Sequence, residues 1–384
     1  MYDGQRIGIV VPAHNEAGHV GDVIETMPGY VDRIYAVDDA STDGTWDELR
    51  ETARRLNAGT GTDGGPGDEN ASEVVTIQHE RNRGAGGAVK TGYACALEDD
   101  IDVVAVMDGD GQMDPTHLGR ILEPVTSGEV TYSKGNRLTS RGDYESMSYW
   151  RLFGNVSLTL LTRISSGYWE LSDPQNGFTA ISNEGLRTVG IDHLYDEYGF
   201  LNDLLFALNV NREPIADVPH PAVYADETSA INYRKFIPHV SLLLGRNFVE
   251  RIVRSYVVRR LHPLVACYVL GALVTLTGVV GGLYALSSPV VNSFLGGMVS
   301  VAVGTLGGLL LILGLWFDVS DNEGLVRKVE YSRRQVVDRE AEDVPPVPSV
   351  FEVYQNGGRS ESGTADSSTT DGGTTATLTG GDSE

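Results

Sequence analysis

Two carboxylates one residue apart, in Asp108-Gly109-Asp110-Gly111-Gln112, follow the short apolar run Val103–Met107. At the tip of a buried strand such a pair can reach a hard divalent cation, which takes oxygen ligands and accepts substrate phosphates as the remainder. Mg²⁺ or Mn²⁺ across a diphosphate would stabilise a nucleoside diphosphate as leaving group. A second acidic tip, Asp38-Asp39, precedes Ala40-Ser41-Thr42-Asp43-Gly44-Thr45. A carboxylate there can accept from a base N–H, while Thr42 or Asp43 suits a helix N-cap. The third candidate, Asn82–Gly92 (NRGAGGAVKTG), is glycine-rich. It is not a P-loop, because Val89 rather than Gly precedes Lys90, and a dinucleotide fingerprint fails at the same position. What remains is a tight turn opening a helix.

The elements that must carry these residues follow from hydrophobic patterning. Arg6–Pro12, Arg33–Val37, Val74–Gln78 and Asp102–Met107 are short, apolar and β-branched, as buried strands are. Asn15–Met27, Thr45–Leu56 and Ala88–Leu97 read as helices between them, and the Gly- and Asp-rich segment 57–72 as a loop. Alternating strands and helices imply an α/β domain on a mostly parallel sheet, with ligands at the carboxyl ends of the strands. The loops His14–Glu16, Asp38–Ser41, Asn82–Gly87 and Asp108–Gln112 should therefore meet on one rim.

The other end of the chain is different in kind. Pro263–Phe317 contains no charged residue and splits into Leu264–Leu286 and Phe294–Phe317, each long enough for a helix to cross a bilayer. Arg251, Arg254, Arg259 and Arg260 precede the first segment, and Arg327, Lys328, Arg333 and Arg334 follow the second, which predicts two spans with both termini cytoplasmic. Gly278/Gly282 and Gly304/Gly308 have the spacing that lets helices approach closely, within a hairpin or between subunits of a homo-oligomer. Val240–Leu261 places Val249, Ile252, Val253, Tyr256 and Val257 on one face, the pattern of an amphipathic helix at a membrane surface. Residues 338–384 are Ser-, Thr-, Gly- and Asp-rich and are expected to be disordered.

Composition narrows the function classes. Acidic residues outnumber basic ones by 53 to 29, a net charge of −24, which argues against a nucleic-acid partner. Lysine is confined to Lys90, Lys134, Lys235 and Lys328, and acid-rich, lysine-poor chains are what a halophilic protein tends to show. Cys95 and Cys267 suggest neither a disulfide framework nor a zinc site, and the polar opening of the chain has no signal-peptide pattern.

Taken together, IVVPAHNEA (9–17), VDDASTDGT (37–45), NRGAGGAVKTG (82–92), VMDGDGQMDP (106–115), GNR (135–137) and DPQNGF (173–178) resemble the family 2 glycosyltransferases of GT-A fold, in the branch of dolichyl-phosphate mannose and glucose synthases. The resemblance spans roughly residues 6–235. It implies that Pro12, His14, Glu16, Val37 and Asp39 hold the nucleotide base and ribose. It also implies that Asp108, Gly109 and Asp110 serve the diphosphate and metal, Gln112 is a further metal ligand, and Arg137 neutralises donor or acceptor phosphate. His14 stands where the mannose synthases usually have Tyr, and GGAVK with DPQNGF leans toward the glucose-type branch and a UDP-hexose donor.

The expected layout is then a GT-A domain over 1–235, amphipathic interface helices over 236–262, a two-helix hairpin over 263–318, a cytoplasmic segment over 319–337 and an acidic tail over 338–384. The expected reaction moves a hexose from a nucleotide sugar to dolichyl or another polyprenyl phosphate, with inversion. A lipid phosphate is already an anion, so positioning and charge neutralisation can replace the general base that a sugar hydroxyl would need. Asp110, Arg137 and Asp173 are the candidate catalytic residues, with Asp173 orienting acceptor or sugar. Arg234 and Lys235, just ahead of the apolar helices, are placed to meet a lipid phosphate. The alternatives are a family 2 transferase extending a polysaccharide or glycolipid, although no Gln-x-x-Arg-Trp motif is found, and a catalytically silent membrane scaffold.

Overall fold

The computed structural model describes residues 1–59, 72–137, 149–220, 233–287 and 293–329. Eight strands form one sheet in the order β3-β2-β1-β4-β6-β5-β7-β8. They are β1 (Ile7–Ala13), β2 (Arg33–Asp38), β3 (Glu73–Gln78), β4 (Val103–Val106), β5 (Tyr132–Asn136), β6 (Thr179–Ser182), β7 (Ile215–Pro219) and β8 (Val326–Lys328). Pairing is parallel except at β6, which runs antiparallel to both β4 and β5. All seven residues of β1 are buried, because helices cover both faces of the sheet. One layer of core holds Ile7, Ile9, Val11, Ile34 and Ala36, and the other holds Val10, Tyr35, Val37, Val104 and Val106, as the two-residue period requires.

The sequence reading of a helix over Asn15–Met27 is corrected: helix α1 covers only Val20–Glu25. Asn15 and Gly18 have φ of 60° and 91°, left-handed conformations that interrupt a right-handed helix. Backbone N–H groups here are taken by side chains that follow β2. Asn15 N–H donates to Ser41 Oγ at 2.9 Å, Glu16 N–H to Thr45 Oγ1 at 2.8 Å, and Gly18 N–H to Glu48 Oε2 at 2.6 Å. The remaining elements of the first half fall within a few residues of expectation. Helix α2 is Thr45–Gly59, and α3 starts early, at Ala85, and ends at Glu98.

The second half supplies α4 (Leu118–Thr126), α5 (Tyr149–Ser166), α6 (Asn183–Val189), α7 (Phe200–Val210) and α8 (Tyr233–Ile252). A π-helical turn, Val253–Val258, follows α8. The expected single apolar face of this segment is divided. Ile252 and Tyr256 pack inward, while Val249, Val253 and Val257 stay exposed beside Leu242, Val258 and Leu261. The apolar arc is wide enough to serve the protein with one edge and leave the other uncovered.

Helices α9 (Pro263–Ser287) and α10 (Ser293–Asp321) form an antiparallel pair and are long and apolar enough to cross a membrane. Only 22% and 17% of their apolar windows are buried, whereas the core helix of a soluble protein is mostly covered. Gly278 faces Gly304 backbone to backbone, and Gly307 faces the Thr275 backbone. Gly308 has nothing near a Cβ position, so the expected Gly304/Gly308 pair contributes one residue to the contact. Helix α10 continues past Phe317 to take in Asp318 and Asp321. The chain then returns to the sheet, where β8 pairs with β7.

Candidate active site

The carboxyl ends of β1, β2 and β4 bring the first three motifs together. Asp39 is buried at the end of β2 and acts as a staple. Its Oδ1 accepts from Arg83 N–H at 2.8 Å and lies 2.7 Å from His79 Nδ1, and its Oδ2 accepts from Gly84 N–H at 2.7 Å. His79 Nε2 in turn lies 2.9 Å from Thr91 Oγ1 on α3. One carboxylate thus joins the tips of β2 and β3 to the glycine-rich turn. Buried and multiply hydrogen-bonded, it organises this rim of the sheet. His14, exposed at the end of β1, places Nδ1 2.9 Å from the Asp39 carbonyl and its ring within 3.3 Å of Asn82 Nδ2. Glu16 is half-buried in the same loop, and Pro12 and Val37 lie buried beneath it.

The glycine-rich turn is not an open anion cradle. Asp196 caps the start of α3, its carbonyl accepting from Gly87 N–H at 2.8 Å, and a Cβ on Gly86 would stand 2.6 Å from that carbonyl. Lys90 Nζ is held by the Leu194 carbonyl and the Asp196 carboxylate, each at 2.7 Å. The glycines are there for close packing.

Asp108, Gly109 and Asp110 hang from β1 and β4. Gly109 N–H donates to the Pro12 carbonyl at 3.1 Å, and a Cβ on Gly109 would stand 3.2 Å from that same oxygen. Gln112 N–H donates to Asp110 Oδ1 at 2.9 Å, folding the turn back on itself. Burial, and then the nearby Asp110 carboxylate, push the Asp108 carboxyl up to about 7, with Arg137 and Lys134 pulling the other way. Two carboxylates crowded in this way favour a cation between them. No group of three or more His, Cys, Asp or Glu converges among the described residues. Two carboxylates completed by substrate oxygens and water is the donor set Mg²⁺ commonly uses, so the residues fit such an ion.

The far half of the site is assembled by β5, β7 and the Asp173–Phe178 loop. Arg137, at the end of β5, pairs with Asp173: Nε to Oδ2 is 2.8 Å and Nη2 to Oδ1 3.3 Å. The Asp173 side chain is 7% exposed and that of Arg137 41%. Asp173 therefore fixes an arginine whose side chain remains partly exposed. The same loop lays Gly177 on the metal-type turn, where a Cβ would stand 2.9 Å from Asp108 Oδ2.

Sequence reasoning missed the support beneath this half. Lys134, fully buried in β5, donates from Nζ to the Asn176 carbonyl. Burial lowers its ammonium to about 7, against the opposing pull of the Asp173 carboxylate. Asn176 Nδ2 lies 2.7 Å from His220 Nε2, and Asp217 Oδ2 accepts from Asn136 Nδ2 and Ser172 N–H, both at 3.2 Å. Scarcity of lysine was the one available signal. The backbone of Arg234 and Lys235 forms the first turn of α8, and their side chains lie outside the described residues.

The family model for Glycosyl transferase family 2 matches residues 8–190, which takes in all the strand-tip motifs above and the Asp173–Phe178 loop. A UDP-N-acetylglucosamine–dolichyl-phosphate N-acetylglucosaminyltransferase of Methanococcus voltae is 26% identical over 247 residues, covering 62% of this chain and 97% of that protein. An undecaprenyl-phosphate mannosyltransferase of Micrococcus luteus is 28% identical over 227 residues, covering 56% and 82%. Among solved structures, glucosyl-3-phosphoglycerate synthase from Mycobacterium tuberculosis aligns with a TM-score of 0.46 at 20% identity, over 65% of this chain and 80% of that one. Residues 8–190 thus match the glycosyl transferase family 2 model, on a mostly parallel α/β sheet followed by two C-terminal apolar helices long enough to cross a membrane.

Proposed function

We propose that this glycosyltransferase moves a hexosyl group from a nucleoside-diphosphate sugar, a UDP-sugar in preference to GDP-mannose, to dolichyl or another polyprenyl phosphate at the cytoplasmic face of a membrane. The observation that carries this reading is where the apolar hairpin joins the sheet. Strand β8, which follows α10, adds to β7, and β7 lies beside β5, whose end carries Arg137. The hairpin thus joins the sheet on the β5–β7–β8 flank, at the amino ends of those strands, and in this reading a lipid-embedded acceptor reaches Arg137 along that flank. Helix α8 enters the hairpin and β8 leaves it within the same sheet-bearing unit, which supports both hairpin ends lying on the catalytic side. The exposed Leu242, Val249, Val253 and Val257 suit contact with lipid headgroups. The names of the Methanococcus and Micrococcus relatives, both polyprenyl-phosphate transferases, point the same way.

In this reading Asp39 holds the rim against which base and ribose rest, with His14, Glu16, Pro12 and Val37 around them. Asp108, Asp110 and Gln112 would hold Mg²⁺ or Mn²⁺, and a cation there neutralises the diphosphate as it leaves. Asp173 fixes Arg137, whose guanidinium holds a phosphate oxygen in line with C1. That oxygen forms the new bond to C1 as the bond to the nucleotide diphosphate breaks, inverting the anomeric carbon. No base is required, because the attacking phosphate carries no proton to remove.

A second reading is a family 2 transferase extending a glycolipid or polysaccharide, because the family model matched over residues 8–190 names no acceptor. One assay separates them. Membranes holding the full chain are given labelled UDP-glucose, UDP-N-acetylglucosamine or GDP-mannose with dolichyl phosphate and Mn²⁺. An organic-extractable, mild-acid-labile product that disappears with EDTA and with Asp110→Asn is expected. Label appearing only in a polymer or preformed glycolipid would sink the lipid-phosphate reading.

A further inference from the structure

The end of the second apolar helix is tied to the protein by a completely buried ion pair. Arg251 of α8 and Asp318 of α10 both have side chains that are 0% exposed, with Nη1 to Oδ1 at 2.7 Å and Nη2 to Oδ2 at 2.6 Å. The guanidinium is satisfied on its other edges by the carbonyls that end α5: Nε donates to Ser165 at 3.0 Å and Nη2 to Ile164 at 3.0 Å. Gly167, at φ 82°, makes room, since a Cβ there would stand 2.8 Å from Arg251 Nη1. Asp318 is completed by Tyr256 O–H at 2.9 Å and Asn322 Nδ2 at 3.0 Å, and Asn322 Oδ1 accepts from Asn209 of α7 at 3.0 Å. Sequence reasoning had counted Arg251 among the basic residues flanking a span; packing has withdrawn it from that role.

Burying two charges costs about as much as their attraction returns, so such a pair is weak evidence for stability and better evidence for registry. What it registers can be followed. The turn of α5 that Arg251 grips also presents Thr162, whose Oγ1 donates to Asn202 Oδ1 at 2.7 Å. That same oxygen accepts from Gln175 Nε2 at 2.9 Å. Gln175 sits in the loop that carries Asp173, the partner of Arg137, and Gly177, which lies against Asp108. A parallel strut runs from Asn247 of α8 to Asp203 of α7 at 2.9 Å.

We propose that Arg251 and Asp318 are positioning residues that couple the apolar hairpin to the Asp173–Phe178 loop through the last turn of α5, so that the loop is ordered only when the hairpin is docked. The inference rests on the assignment of that loop to the transferase site, and its readout is kept separate from catalysis. Contiguity alone does not establish coupling; a perturbation at one end has to be read at the other.

The full chain in phosphatidylglycerol-containing nanodiscs is compared with Arg251→Met/Asp318→Leu and with Thr162→Val. The double variant replaces the pair by apolar side chains, a change that buried pairs often tolerate. Thr162→Val removes one hydroxyl and leaves the pair in place. In hydrogen–deuterium exchange, amides of residues 171–178 should exchange about tenfold faster in both variants, with β1 and β2 unchanged. Exchange near Asp318 should rise only in the double variant. UDP-sugar affinity should stay within about twofold while kcat falls about tenfold. Wild-type exchange over 171–178 in the double variant would overturn the coupling, as would faster exchange spread evenly through β1 and β2. If the double variant does not fold, unchanged loop exchange in Thr162→Val overturns it instead. Absence of lipid product from the unmodified chain would count against the acceptor assignment and leave the exchange result standing.

Discussion

Asp173 and Arg137 form a two-point ion pair at the end of β5, with Nε 2.8 Å from one carboxylate oxygen and Nη2 3.3 Å from the other. The aspartate is nearly buried and the arginine is not, so the pair presents the guanidinium in a fixed orientation. Asp173→Asn keeps the shape and removes the charge that orients the guanidinium. Turnover should fall about 10–100-fold with UDP-sugar affinity within about twofold, measured by steady-state kinetics and calorimetry. Equal losses in binding and turnover would mean that Asp173 serves the donor instead.

Gly177 tests the contact between the loop and the acidic turn. A methyl group at this position would press on the Asp108 carboxylate and on Met113. Gly177→Ala should leave the fold intact and raise the Mn²⁺ concentration for half-maximal activity by about three- to tenfold, because it displaces an oxygen proposed to hold the metal. An unchanged Mn²⁺ titration would show that Asp108 is not part of the ion's site.

Lys134 makes a pH prediction whose sign can be worked out. Its ammonium is lowered to about 7 in the folded protein, against about 10.4 unfolded. Between those values the unfolded chain binds more protons, so this residue makes stability rise with pH, by at most about 1.4 kcal/mol per pH unit, until the effect is complete above the unfolded value. As pH falls through 7 the gain is gone. Lys134→Met should flatten that part of the difference curve when denaturant unfolding is followed from pH 7 to 10 in EDTA. Parallel curves for the two proteins would refute a lysine held partly neutral.

The hairpin offers a paired control. Gly278→Leu forces a side chain into the Gly304 backbone, whereas Gly308→Leu points into open space. The first should lower the thermal midpoint in detergent by several degrees, as overpacking does, and the second should leave it within about a degree. Equal effects would point to a further contact at Gly308, such as a second copy of the chain.

Much of this protein was legible in its sequence because the signals are local. A strand buried on both faces is a short β-branched run, an acidic strand tip is two adjacent letters, and a helix able to span a bilayer is about 20 residues without charge. Those features placed His14, Asp39, Asp108 and Asp110 on one rim of a parallel sheet and located the two apolar helices. Tertiary structure decided which side chains spend their charge on the protein itself. Asp39 is pinned by partners 40 to 45 residues away, Arg137 by one 36 away, and Arg251 by one 67 away. No periodicity reports such pairings, because they depend on which backbone groups are left unsatisfied once distant elements pack. The antiparallel β6, the return strand β8 and the turn that replaces the first half of the expected α1 have the same origin. Each is a short segment whose conformation is set by the hydrogen bonds its neighbours offer rather than by its own residues.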